Sequence, residues 1–595
     1  MLVKLQLDSL PETITAPRTD AVYNCHAYLT KVPVAAIQPF IETFTSRGEI
    51  VADIFAGSGM TGLAAAMLGR RAKLSDISVL GRHIATGYLT EVDEAEFRDA
   101  ADAVIKAAKA ALGDLYTTER ASDHAKVEMV RAVWSFTYNC PSCAKPLVFF
   151  KAMRNDGTLA PDKCPDCAQP FVKRSWKRGP DVPVQVVVRD ANGRLTDQGV
   201  ERTDLAAVAK AGSDPRQAQI PSLTIDDTRE MYSRSGLGKA GLTETKQFFS
   251  PRNAIALLEL WRAIQAIKND SLRNKLSFSF TAILPRASRR YQWSAQRPLN
   301  AQNQTYYIAP VYYEWNVFEL FERKVEAAIR AAQLMFDHEP LFKQSVPNNV
   351  SYTLASADRV EHLDDASIDY VFIDPPFGSN IFYSDMNLFH EAWLGKATDH
   401  AREAVMHTTG RKKNGAAQRY EDLLRGAFAE AFRVLKPGRY MSIVFGNSDG
   451  KVWGLVQRAM RDAGFHSVPV HVAILDKGQR SVKGLNSGSE GVVTVDLIVT
   501  LQKPARASEA DQHSKLVQAD ARALIDRALS AIPETMRSPS HVYAAIVRDA
   551  IKQHQAVDHL HLSDVLIALH EAGYSVDRKG GLLIRTDGEI PVAAE

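Results

Sequence analysis

Residues 369–380 read DYVFIDPPFGSN, and this stretch decides the fold. Tyr370, Val371, Phe372 and Ile373 form a continuous apolar run, the pattern of a strand buried on both faces. The run ends on a carboxylate, Asp374, followed by Pro375 and Pro376, which lack the N–H that a ladder needs. The prolines stiffen the backbone and present Asp374 at the carboxyl edge of a sheet, where open α/β sheets bind ligands. An exocyclic base amine is a poor nucleophile because its lone pair is delocalised into the ring. A carboxylate at Asp374 and the Pro375 carbonyl, both accepting hydrogens from such an amine, would localise that pair, and Phe377 offers a face on which the base stacks.

A second stretch answers the first. In GEIVADIFAGSGMTG (48–62) a short apolar run meets Asp53, then Phe55, then Gly57, Gly59 and Gly62, before the helix-like LAAAMLG. A strand, a glycine-rich turn and a helix N-terminus let the backbone approach an anionic ligand closely. Asp76 lies about 20 residues on, at the end of the next strand, where an acid binds ribose hydroxyls. The alternative for Asp76 is a turn or N-cap aspartate.

The whole chain sets the frame. Its 595 residues suggest roughly three or four domains. Apolar residues make up 45% and charged residues 24%, as in soluble globular proteins, and the net charge of +3 leaves any basic surface local. The start, MLVKLQLDSLPETIT, lacks the apolar core of a signal peptide, and no apolar run approaches the ~20 residues that cross a bilayer. These features place the protein in the cytoplasm. Four of the five cysteines form two knuckles, Cys140-Pro-Ser-Cys143 and Cys164-Pro-Asp-Cys167, separated by 20 residues. That spacing reads as a closed four-thiolate site for a structural Zn2+. Cys25 is left as a small buried residue.

With these motifs the chain resembles the amino-group nucleic-acid methyltransferases that use S-adenosyl-L-methionine, through DIFAGSG at 53–59 and DPPF at 374–377. HAYLTKVP (26–33) is similar to the segment beside the methionine part of that cofactor, which implies a role for Lys31. Ala355-Ser356-Ala357-Asp358 is similar to the acidic turn at the cofactor adenine, and FRVLKPGRYMSIVFGN (432–447) to the helix, turn and strand after the catalytic motif. VHVAILDKG (470–478) and VVTVDLIVTLQK (492–503) resemble the terminal hairpin. Together with the knuckles and FFSPRNAIALLELWRAI (248–264), the closest resemblance is to bacterial adenine-specific DNA methylases carrying a zinc ribbon. Two departures are that Ile54 stands where the family often has proline, and that Val32 splits its lysine from its proline.

The expected fold is α/β: a Rossmann-like class I methyltransferase sheet, interrupted by a large insertion with a zinc ribbon, plus a small α-rich C-terminal module. Residues 1–100 form the first, cofactor-binding half of the core and 346–503 the catalytic half. The insertion spans 101–345, with the ribbon at 138–172, and 516–595 form a separate winged-helix-like module beyond a linker. The resemblance implies that Asp53, Phe55, Gly57, Gly59, Asp76, Asp358 and Lys31 bind the cofactor and that Asp374, Pro375, Pro376 and Phe377 carry the reaction. Its partner is double-stranded DNA with the target base flipped out. Nuclease or other defence subunits are further partners.

Within the insertion, LPRASRRYQWSAQR (284–297) interleaves Arg286, Arg289, Arg290 and Arg297 with Tyr291 and Trp293 and holds no acid. This suits a phosphate backbone and unstacked bases, or equally a solvated segment with core aromatics. A second basic cluster surrounds Trp176. After DPPF, Tyr383, Asp385 and Trp393 lie close in sequence to the site, and HTTGRKKNGAAQR (407–419) reads as a mobile closing loop or an ordinary exposed one. Adenine N6 is the expected target. Cytosine N4, an RNA base amine (guanine N2 or adenine N6) and a non-catalytic nucleic-acid binder remain the alternatives. Carbon-5 cytosine chemistry needs a cysteine nucleophile, and Cys25 lies in no such motif.

Overall fold

The computed structural model describes residues 10–16, 20–155, 157–295, 306–336, 349–409, 411–466, 469–476, 495–506, 517–518, 520–577 and 581–585. Eight strands form the central sheet: β1 (Thr13–Thr15), β2 (Ile50–Asp53), β3 (Arg71–Asp76), β4 (Val350–Leu354), β5 (Ile368–Ile373), β6 (Leu435–Phe445), β7 (His471–Asp476) and β8 (Val495–Gln502). Their spatial order is β1-β7-β8-β6-β5-β2-β3-β4. β4, β3, β2, β5 and β6 pair in parallel, β8 runs antiparallel to both its neighbours, and β1 pairs in parallel with β7.

β5 lies between β2 and β6, and every one of its residues is buried. Alternation along it separates two cores. Tyr370 and Phe372 face the core shared with the insertion, whereas Val371 and Ile373 face the core shared with the C-terminal helices. Helices α1 (Val34–Phe44), α2 (Met60–Met67) and α3 (Val79–Leu89) belong to the first half of this core, and α4 (Tyr383–Leu394), α5 (Ala416–Val434) and α6 (Gly450–Asp462) to the second.

The insertion occupies the chain between β3 and β4, which pair directly from Ala72 opposite Val350 to Asp76 opposite Leu354. It contains a helix at Glu94–Leu112 and a four-stranded sheet ordered Leu195–Gln198, Val182–Arg189, Arg131–Ser135, Val311–Trp315. Helices Pro251–Gln265, Asp270–Thr281 and Val317–Phe336 complete it. A buried Arg252–Glu314 ion pair sits in its core, and Trp134 Nε1 donates to the same carboxylate at 2.8 Å. The three-stranded unit bearing the cysteine knuckles is built from Thr137–Asn139, Pro146–Val148 and Lys177–Arg178. The insertion seats on the core where Phe278 packs over Gly87 and Lys275 Nζ donates to the Gly87 carbonyl at 2.8 Å.

At the C-terminal end, helices Ala521–Ala531, Pro539–Lys552 and Leu562–Glu571 precede a hairpin of Tyr574–Val576 with Leu583–Arg585. The expectation of a separate module does not hold, because these helices share one apolar core with α5, α6 and the sheet. Leu562 N donates to Ser448 O at 3.0 Å, and Gln457 Nε2 donates to Gln555 O at 2.8 Å. Most of the expected linker lies outside the described residues, as do Lys579 and Gly580 of the hairpin tip. No helix among the described residues is long and apolar enough to cross a membrane.

The docking of these helices is tight at Gly450, where an added Cβ would lie 2.4 Å from the Leu560 carbonyl oxygen and 2.5 Å from that of Val557. Gly450→Ala is expected to destabilise the protein by about 1–3 kcal/mol, since the obstructing atoms are backbone. Urea denaturation, followed by fluorescence, measures this.

Candidate active site

A cavity open to solvent lies at the carboxyl ends of β2, β3 and β5. The turn after β2 forms its floor. Gly59 caps α2 with φ +82°, and an added Cβ there would meet Ala85 at 2.6 Å, so α2 and α3 pack closely only over glycine. Asp53 is buried at the strand end, accepting from Phe55 N at 3.0 Å and Thr61 Oγ1 at 2.6 Å, and burial pushes its carboxyl up to about 8. Asp76 accepts from Gly57 N and Ser78 N, each at 2.8 Å, and burial raises its pKa despite these bonds. It therefore acts as a turn aspartate and still lines the cavity. Asp358 also lines it, on the turn after β4, with Gly426 of α5 packed close against its Cβ.

Lys31 lines the cavity but turns its ammonium back onto its own segment. It donates to the Tyr23 and His26 carbonyls and lies 4.5 Å from the centre of the Tyr23 ring. Burial lowers its pKa to about 7.

The DPPF motif follows β5 without a break. Asp374 and Pro376 line the cavity, whereas Pro375 is buried beside it. Tyr420 Oη of α5 donates to the Pro376 carbonyl at 2.7 Å, and Asn447 Nδ2 donates to the Phe377 carbonyl at 3.3 Å. The Phe377 ring is half-buried, edge-on to Phe445 at 4.9 Å. The wall opposite the glycine turn comes from Tyr28, Thr30, Tyr383 and Asn387. Thr30 Oγ1 and Tyr383 Oη bond at 2.7 Å, the Tyr28 and Tyr383 rings stack at 6.1 Å, and Asn387 Nδ2 donates to Ser78 Oγ at 3.2 Å. Sequence reasoning did not single out Thr30, Asn387, Tyr420 or Asn447. Thr30 lies in HAYLTKVP, Asn387 in the stretch after DPPF and Asn447 in the FGN at the end of β6, all stretches already marked, whereas Tyr420 lies in none.

Tyr383 thus joins the site. Asp385 instead pairs with Arg229 of the insertion at 3.1 Å, and Trp393 packs on Phe280. The segment read as a mobile loop is anchored at its start. Glu230 accepts from Thr408 N at 3.1 Å and Thr408 Oγ1 at 2.5 Å, and Arg419 donates to the Asn414 carbonyl at 2.7 Å.

The basic and aromatic strip mostly turns inward. Arg290 is buried, its guanidinium 4.5 Å from the centre of the Phe389 ring, and burial lowers its pKa to about 10. Tyr291 is buried, Trp293 packs edge-on to Phe150 at 5.2 Å, and Arg289 pairs with Asp181 at 3.1 Å. These four are held by aromatic faces and an internal carboxylate rather than set out along a surface. Arg286 is exposed, stacked over Tyr291 at 5.3 Å, and Arg297 lies outside the described residues.

The four knuckle sulfurs all lie within 4.8 Å of one another. Cys140 and Cys167 are 3.5 Å apart, and Cys143 and Cys164 3.8 Å. Tetrahedral zinc at about 2.3 Å from each sulfur requires roughly 3.8 Å between them. The knuckles repeat each other: Ala144 (φ +58°) donates to Cys140 O at 2.9 Å, and Ala168 (φ +62°) donates to Cys164 O at 3.0 Å.

Residues 11–100 match the family described as DNA methylase, of the N6/N4 methyltransferase type. No curated protein matches the chain. Among solved structures, a protein of Thermus thermophilus, described as a DNA modification methylase and complexed with S-adenosyl-L-methionine, is 16% identical. The match covers 31% of this chain and 62% of that one, with a TM-score of 0.17. A SAM-dependent methyltransferase of Methanosarcina mazei is 12% identical over 30% of this chain and 78% of its own, with a TM-score of 0.16.

The Lys31 environment has a consequence for pH. Its folded pKa lies near 7 against an ordinary 10.5, so between these values the unfolded chain holds a proton that the folded one has released. Stability should therefore rise with pH from about 7 to 10 through this group. The melting temperature of Lys31→Met, compared with that of the parent across this range, should lack that increment.

Proposed function

We propose, for a chain whose residues 11–100 match the DNA methylase family of N6/N4 methyltransferases, that it methylates an exocyclic base amine in DNA, with adenine N6 as the target. The observation that carries this reading is the convergence of Asp374, Asp76 and the glycine turn on one cavity at the carboxyl ends of adjacent parallel strands. The family match and the cavity's donor set support S-adenosyl-L-methionine as cofactor. Gly57, Asp76 and Asp358 would hold it, with Phe55 and the wall at Tyr28 and Thr30 enclosing it. When bound, it supplies an electrophilic methyl group.

The chain's own residues do the rest. Asp374 accepts one hydrogen of the amine. The Pro375 carbonyl, next in the chain, accepts the second, as the resemblance implies, and Tyr420 bonds the Pro376 carbonyl beyond it. Phe377, braced by Phe445, stacks on the base. Positioning and fixed dipoles supply the rate, and no covalent intermediate is required. A base inside a duplex cannot reach this cavity, so the target is flipped out. Of the strip's described arginines, only Arg286 is exposed for phosphate contact. The sulfur geometry supports a structural Zn2+ on Cys140, Cys143, Cys164 and Cys167. Cytoplasmic location, and work beside a nuclease or other defence subunits, belong to the same proposal and rest on the resemblance.

Two measurements test this. With labelled S-adenosyl-L-methionine and unmethylated bacterial DNA, the protein should form N6-methyladenine, identified by mass spectrometry. Asp374→Ala should lower transfer by about 10³-fold or more while cofactor affinity stays within a few-fold. Label in RNA instead of DNA would reassign the substrate, and loss of cofactor binding in the variant would contradict the role of Asp374. Elemental analysis should find about one zinc per chain, and Cys164→Ser should lower both the zinc content and the melting temperature.

A further inference from the structure

The DPPF motif has little torsional freedom of its own. Proline fixes φ at residues 375 and 376, and a following proline confines ψ at Asp374 and Pro375 to extended values. Beyond Asp374, the first backbone torsion left open is therefore ψ of Pro376, which turns the Pro376 carbonyl and the chain after it. That carbonyl accepts from Tyr420 Oη of α5 at 2.7 Å. The same hydroxyl accepts from Gly378 N at 3.3 Å, and Gly378 N also lies 3.2 Å from the Pro376 carbonyl oxygen. One hydroxyl thus spans both ends of a three-residue turn with Phe377 at its apex. Gly378 takes φ +68° to leave the turn, and its carbonyl accepts from Met406 N at 3.1 Å.

Tyr420 is itself held firmly. It is fully buried in the apolar core that α5 shares with the sheet and the C-terminal helices, and burial raises its pKa, so the hydroxyl stays a donor. Further along α5, an added Cβ at Gly426 would meet Asp358 Cβ at 2.8 Å, and Glu430 accepts from Val360 N at 2.9 Å. One end of α5 therefore bears on the Pro376 carbonyl and the other on the turn that carries Asp358. A helix is stiff over this length, so one rigid element sets the spacing between the catalytic motif and the acidic turn on the cofactor side.

Resting on the methylation reading above, we infer that Tyr420 is a positioning residue for methyl transfer: by fixing ψ of Pro376 and closing the turn at Phe377, its hydroxyl holds Asp374 to Phe377 as one rigid unit facing the cofactor. Tyr420 lies behind the cavity wall rather than on it, so it acts only through the motif. An in-line transfer tolerates little misplacement, since about 1 Å costs about a hundredfold in rate. Binding of the cofactor at the glycine turn, Asp76 and Asp358 needs no contribution from this hydroxyl. The role therefore shows in kcat and not in cofactor affinity.

Tyr420→Phe removes the hydroxyl and keeps the ring in the core. With labelled S-adenosyl-L-methionine and unmethylated bacterial DNA, its kcat should fall about ten- to a hundredfold, while KM and Kd for the cofactor stay within about twofold of the parent. Tyr116→Phe is the control. Tyr116 is buried in the insertion and its hydroxyl donates to Asn253 Oδ1 at 2.7 Å, so this variant also loses a buried tyrosine hydrogen bond. Its kcat should equal that of the parent. Amide hydrogen exchange gives a readout independent of activity. A peptide spanning Asp374 to Gly378 should exchange faster in Tyr420→Phe than in the parent, and at the parent's rate in Tyr116→Phe. An unchanged kcat in Tyr420→Phe, a loss carried by KM for the cofactor, or an equal loss of kcat in Tyr116→Phe overturns this role alone. Unchanged exchange across the turn in Tyr420→Phe does the same. No transfer to DNA by the parent overturns the methylation reading and this role with it.

Discussion

The parallel pairing of β3 with β4 is the constraint on which the rest depends. These strands are separated in the chain by the whole insertion, yet they lie in register from Ala72 and Val350 to Asp76 and Leu354. Closing so long a loop adds little entropic penalty over a shorter one, because the cost grows only logarithmically with length. The insertion also has its own sheet and shares an apolar core with one face of the central sheet, so it is not a floppy loop. The pairing brings Asp358, on the turn after β4, to the same edge as Asp76 and the glycine turn. Tyr352 of β4 fastens the arrangement by donating to the Gly57 carbonyl at 2.8 Å.

From that edge the site is held from two sides. Towards the insertion, Arg229 and Glu230 reach the chain after DPPF, through Asp385 and Thr408. On the other face, Tyr420 and Asn447 hold the carbonyls of Pro376 and Phe377. The insertion is thus bonded to the wall of the cavity that Asp374 lines. The C-terminal helices brace the sheet from behind and reach α6 through Gly450 and Gln457.

How far the site could be read in advance differs from residue to residue. Asp374, Asp53, Asp76 and the glycines were legible because each sits at a strand end marked by a change of pattern: an apolar run, then a carboxylate, then proline or glycine. The cysteines were legible because spacing within a knuckle is local. Glu403 was not, since nothing near it in sequence distinguishes a carboxyl facing a cavity from one facing water. The strip at 284–297 shows the opposite failure. Arginine interleaved with aromatic residues is the pattern of a nucleic-acid surface and equally of guanidinium groups laid over buried rings. Arg290 over Phe389 is the second kind.

By itself, then, the sequence determined the sheet's buried core strands, the order of its motifs, the presence of an insertion after β3 and the four-cysteine knuckles, because strand period, proline and glycine chemistry and CxxC spacing are properties of neighbouring residues. Only the tertiary structure decided what each polar side chain meets. It turned Lys31 onto the carbonyls of its own segment, sent Arg290 and Tyr291 inward, fused the C-terminal helices to the sheet and put Glu403 into the cavity with Asp374. The physical reason is that burial and partnership are set by contacts between residues far apart in the chain, and no local pattern encodes which of them come together.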